Sequence, residues 1–243
     1  MRQHPGAFCC QDSTIPHLVV RFVPKVGNMP FNVTTRNAAV TAIAADITYL
    51  GVHTLVDPGT GTTANAGEAT GGSPAYARVL VPWSAASGSQ VANSSALTIN
   101  VPTGTYGFLT FWNAATGNTA NYMGYAPMGG SSAIKGFAVT DPTFGNLDYF
   151  CDGHGLSNTN TVFVYPEFGG TLSAPLATGT IYYVVNAATN TFQLATTSGG
   201  TGITITTMNS GAFFWQRIVS ETFNAQGSIT VAIGALILDA TTI

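Results

Sequence analysis

From Ile47 onward the chain is a succession of short runs of β-branched and aromatic residues, each closed by a cluster of Gly, Pro, Ser or Asn. That pattern leaves few alternatives to a sandwich or barrel of short strands. A first set comprises Ile47 to Thr54 (ITYLGVHT), Tyr76 to Trp83, Ala96 to Val101, Tyr106 to Asn113 and Asn121 to Ala126. A second set begins near Asn146, with Thr161 to Tyr165, Ile181 to Asn186, Thr191 to Ala195, Gly202 to Thr206 and Phe213 to Val219. Ile181 to Asn186 and Thr191 to Ala195 read as a hairpin across the turn-competent Ala187 to Asn190. The closing runs, Ser228 to Ile233 and Ala235 to Leu238, are dense enough in Ile, Val and Leu for central core strands. Asp57 to Pro74 contains no large apolar residue and is expected to be a long surface loop.

One helix precedes the strands. Thr34 or Thr35 is the expected cap, and Ala38, Ala39, Ala42, Ile43 and Ala45 recur at a period near that of a helix. Residues 1–28, interrupted by Pro5, Pro16 and Pro24, read as an extended N-terminal arm, with Met29 an alternative translation start.

Composition narrows the function. Charged residues make up 7% of the 243, against roughly 25% in an ordinary domain. A net charge of −3 with seven scattered cations cannot supply clustered phosphate contacts, so nucleic acid is not an expected partner. The most apolar run, Ile229 to Leu238, is about half the roughly 20 residues of a membrane-crossing helix. No sustained apolar stretch precedes Asp12, so no secretory signal is expected. Cys9, Cys10 and Cys151 lack metal or redox spacing and read as incidental thiols, with an intermolecular disulfide as the alternative.

Tyr49, His53 and Thr54, then Asp57, Pro58 and Gly59, Glu68, Thr70 to Arg78 and Trp83 follow the small Ala-rich helix in a fixed order. In this order the chain resembles the start of tail-fibre-like minor tail proteins of bacteriophages. Phe223 to Ile237 is similar to the final strands of that family, and Val101 to Gly117 to its middle. Asp152 to Thr206 resembles a small β module that recurs as an insertion in phage structural proteins. Its signature stands here as His154 to Leu156, Leu172 to Leu176, Gly179 to Asn186 and Thr191 to Leu194.

Candidate chemistry is thin. His53 and Asp57 have the spacing of a base and its orienter, but no Ser or Cys nucleophile sits in a recognisable elbow nearby. Asp148, Asp152 and His154 form the densest polar cluster, yet they lack the ladder of ligands that Ca²⁺ takes and suit a turn. Glu68, Asp141, Glu167 and Glu221 are isolated, whereas glycoside hydrolysis needs two paired carboxylates. Gly129-Gly130 and Gly199-Gly200 lack the Lys and the helix of a phosphate loop. Trp112, Tyr122, Tyr125 and Trp215 are the candidates for glycan stacking or a subunit contact.

The expectation is therefore a mainly β protein. A β-sandwich-like domain with one short N-terminal helix (residues 29–145 and 217–243) is interrupted by a small inserted β module (146–216). No catalytic, cofactor or metal site is expected, and no membrane insertion. The resemblance implies a non-catalytic structural protein of the virion, of tail-fibre or minor tail type. It would assemble with itself, a trimer being favoured, and with other virion proteins. The alternatives are a capsid decoration or head-fibre protein and a module that binds host-surface glycan.

Overall fold

In the computed structural model, residues 18–21, 31–55, 58, 67–129, 134–140, 148–166, 170–209 and 211–241 are described. The rest of the arm lies outside them, as do Cys9, Cys10, Met29, Asp57, Gly59, Gly130, Asp141 and Glu167. The described elements are, in chain order, β1 (Leu18–Arg21), α1 (Val33–Asp46), β2 (Tyr49–Thr54), β3 (Val79–Leu80), β4 (Gln90–Ala92), β5 (Leu97–Val101), β6 (Gly104–Trp112) and β7 (Tyr122–Pro127). They continue with β8 (Lys135–Thr140), β9 (Tyr149–Phe150), β10 (Thr161–Pro166), β11 (Ile181–Val185), β12 (Thr191–Ala195), β13 (Ala212–Ile218), β14 (Glu221–Phe223), β15 (Gly227–Val231) and β16 (Leu236–Asp239). The fold is mainly β.

The chain divides into two compact units, Ile15–Ser131 with Ser220–Ile243, and Ser132–Val219. The second unit thus starts before β8, earlier than the expected boundary at 146, and ends at Val219 rather than 216. The reason is pairing: β8 lies between β13 and β9 and completes the ring β10-β11-β12-β9-β8-β13, a closed barrel. Among the described residues, closure leaves no free edge in this sheet. Val162, Val164, Tyr182, Val184, Phe192, Leu194, Phe213 and Trp215 alternate inward and fill it. Gly202 to Thr206, expected as a strand, carries no ladder. It is held by single bonds such as Ile203 N–H to the Leu194 carbonyl and Thr206 N–H to the Ala174 carbonyl.

In the other unit β6 is the axis of a five-stranded sheet, ordered β14-β6-β2-β3 with β7 also pairing β6. Leu50, Val52, Leu109 and Phe111 face a core shared with Ile99, Val101, Ile229, Val231, Leu236 and Leu238 from the smaller sheets. The five-stranded sheet and the two smaller sheets packed on one core make a sandwich-like arrangement. Within the arm, the backbone of β1 runs parallel to β16.

Asn32, rather than Thr34 or Thr35, caps α1, its Oδ1 accepting from Thr35 N–H at 2.8 Å. Asn is as good a cap as Thr, and its place before the first helical residue puts that oxygen over a free amide. The buried face is Val40 and Ala44 with Ile43 beside them, while Ala38, Ala42 and Ala45 are exposed. Val40 gives this face most of its buried area, since alanines offer little to bury.

β4–β5 and β15–β16 form one long antiparallel pair with an interruption. Val91 pairs Leu238 and Ile99 pairs Ile229, but between the Asn93–Leu236 hydrogen bond and Leu97↔Val231 three residues oppose four. Buried Asn93 satisfies the break. Its Nδ2 donates to the carbonyls of Ser95 (2.7 Å) and Ala232 (2.9 Å), and its Oδ1 accepts from Leu236 N–H (2.9 Å).

Candidate functional site

The face of the five-stranded sheet turned away from that core carries Tyr49, Gly51 and His53 from β2 beside Trp112, Thr110 and Phe108 from β6. A register shift in β7 pairs Tyr122 with Trp112 and Tyr125 with Thr110, so the extra residue brings both tyrosines to this face. Tyr122 meets the Trp112 ring edge-on at 5.2 Å and Tyr125 meets Phe108 at 5.5 Å. Three of the four aromatic candidates therefore converge.

Their exposures differ. Trp112 is fully buried and presents no ring face to a ligand. Trp215 lies in the core of the barrel unit, 1% exposed. Trp215 is a core residue because indole offers the largest apolar area to bury, whereas Trp112 is buried on the outer face by the Arg78 guanidinium that lies over its ring. Tyr122 and Tyr125 remain half-buried on the edge strand.

A strap of residues 67–78 crosses this face. The end of the expected surface loop is in fact part of the sheet: Thr54 N–H donates to the Gly67 carbonyl (2.8 Å) and Ala69 N–H to the Val52 carbonyl (3.0 Å). His53 forms a bridge with Glu68. This approach requires glycine at 67, where an added Cβ would collide with the His53 ring. Gly51 has the same function, since a Cβ there would lie 2.8 Å from both Thr110 Oγ1 and Tyr76 Oη. Tyr76 and Arg78 belong to the run Tyr76 to Trp83, expected as one strand, in which Val79–Leu80 pairs β2 and Trp83 bridges Asn93 while Tyr76 and Arg78 join no ladder. Instead they point their polar tips at Glu68.

Arg78 Nε donates to Glu68 Oε1 and Nη2 to Oε2, each at 2.7 Å. Tyr76 O–H donates to Glu68 Oε1 at 2.7 Å while its oxygen accepts from Val52 N–H at 3.2 Å. Arg78 also donates to the carbonyls of Ala114 (3.3 Å) and Gly117 (3.1 Å), and its guanidinium lies 3.3 Å from the Trp112 ring centroid. Opposite charges, a planar fork and an aromatic face are the arrangement that makes a buried Arg tolerable. Burial, followed by the charge and hydrogen bond of Glu68, pushes the Tyr76 hydroxyl far above its usual range. Tyr76 therefore stays a neutral donor.

The other polar candidates are dispersed. His53 is fully buried, its Nδ1 3.3 Å from the Thr54 carbonyl. In the barrel unit His154 Nδ1 accepts from Leu156 N–H (2.9 Å) and Nε2 donates to the Thr191 carbonyl (3.2 Å). That pairing fixes one neutral tautomer and uses both nitrogens on the backbone. Asp148 Oδ1 accepts from Gln193 Nε2 at 2.8 Å, and Asp152 is exposed in a turn. Cys151 is buried. Glu221 is exposed on β14. Among the described residues no three His, Cys, Asp or Glu come together as a metal site, and no helix is long and apolar enough to cross a membrane.

Sequence reasoning weighed Glu68 only as an isolated carboxylate and missed its pairing with Tyr76 and Arg78. The available signal was a lone Glu and a lone Arg ten positions apart in a stretch otherwise without charge. Compared with protein-family models, curated proteins and solved structures, the chain matches none.

Proposed function

We propose that this chain is a non-catalytic structural protein of a bacteriophage virion, of the tail-fibre or minor tail type, that assembles as a homo-oligomer with a trimer favoured. The observation that carries the reading is the fate of the segment resembling that family. Glu68, Tyr76 and Arg78 direct their polar groups at one another and at the backbone, in a lock rather than a cleft. A lock of this kind holds a strap rigidly on a sheet. A scarcity of charge, 7% of residues, supports the same reading, since neutral hydroxyl and amide surfaces pack against neighbours without stranding unpaired ions.

A second reading, contact with host-surface glycan, is favoured by the register shift that sets Tyr122 and Tyr125 on one face. Electron microscopy of intact particles, with the chain located by labelled antibody, tests the first reading. Label on the tail supports it, label on the capsid replaces it by a decoration role, and its absence from particles refutes both. A glycan array with the wild-type chain and with Tyr122→Ala and Tyr125→Ala tests the second.

A further inference from the structure

We draw no further inference here: the strongest candidate, the outer face of the barrel where Phe137, Phe214 and Tyr165 touch in a row across β8, β13 and β10 with Phe150 exposed on neighbouring β9, carries nothing because nothing in the structure shows what covers it.

Discussion

Glu68 and Arg78 are joined at both oxygens of the carboxylate, with side-chain exposures of 10% and 4%. A pair so enclosed is costly to break from one side and cheap to replace as a whole. Removing one partner strands the other charge, at a cost of about 3–5 kcal/mol, whereas an apolar pair of similar volume is near neutral. Arg78→Ala and Glu68→Ala are each expected to lower stability by that amount, and Glu68→Ala with Arg78→Ala by clearly less than the two losses together. Urea unfolding of the single and double variants gives the coupling. Additive losses would show that the pair is not a unit.

Alkaline pH is expected to destabilise the fold. Burial, then Glu68, raises the Tyr76 hydroxyl, and burial, then Tyr182, raises that of Tyr149. The unfolded chain releases these protons near the ordinary tyrosine value of 10, while the folded chain keeps them. The stabilisation is therefore complete below that pH and is lost progressively above it. Phenolate absorbance should rise in two stages, the second coinciding with unfolding; a single early rise would contradict the burial of these hydroxyls.

Asn93→Ala should cost about 2–3 kcal/mol, because it leaves Leu236 N–H and the carbonyls of Ser95 and Ala232 without their side-chain partner. Asn93→Asp keeps the acceptor but not the donors and should also destabilise. Amide exchange resolved at Leu236 distinguishes the two, fast in Asn93→Ala and protected in Asn93→Asp.

Close approach predicts a contrast among glycines. Gly67→Ala and Gly51→Ala force the strap off the sheet, with an expected loss of about 1–3 kcal/mol each from overpacking. Gly71→Ala, where φ is +83° and a Cβ meets nothing within 4 Å, should show only the backbone penalty of about 1–2 kcal/mol. Tyr122 fluorescence in a background without other tyrosine–tryptophan pairs would report movement of the face in the first two variants and none in the third.

Tyr149→Phe is expected to raise stability by about 1 kcal/mol, the reverse of an ordinary core polar deletion. Among the described residues its buried hydroxyl finds no hydrogen-bond partner, so the substitution removes a desolvated group and leaves the ring packed on Phe213 and Phe192. A fall in the unfolding midpoint would mean that the hydroxyl is bonded in solution.

Local chemistry made much of this architecture legible. The β11–β12 hairpin could be read because Tyr182, Val184, Phe192 and Leu194 alternate on both sides of a polar turn, and the pleat turns such alternation into one buried face. Lys135–Thr140 is hard to read because a six-residue run gains its meaning from partners, and the longer of its two pairings, with β13 around Phe214, lies far along the chain. Which of the four aromatic candidates are exposed was hidden for a related reason. Composition counts Trp112 and Trp215 alike with Tyr122, whereas Trp215 is buried because its strand turns it into the barrel and Trp112 because Arg78 lies over its ring. Glu68 and Arg78 carried no periodic signal, since a strap that crosses a sheet has no regular spacing to display.

The closing strands β15 and β16 follow the barrel in the chain yet complete the core begun by β2, β5 and β6. During synthesis the ribosome therefore delivers every strand of the barrel before the sandwich has its last wall. The continuous unit is able to mature first, while Leu50, Ile99 and Phe111 wait for Ile229, Leu236 and Leu238 to emerge. Birth order is thus inverted relative to sequence order: the segment begun second has all its strands first, and the earliest strands are the ones that wait longest for their partners.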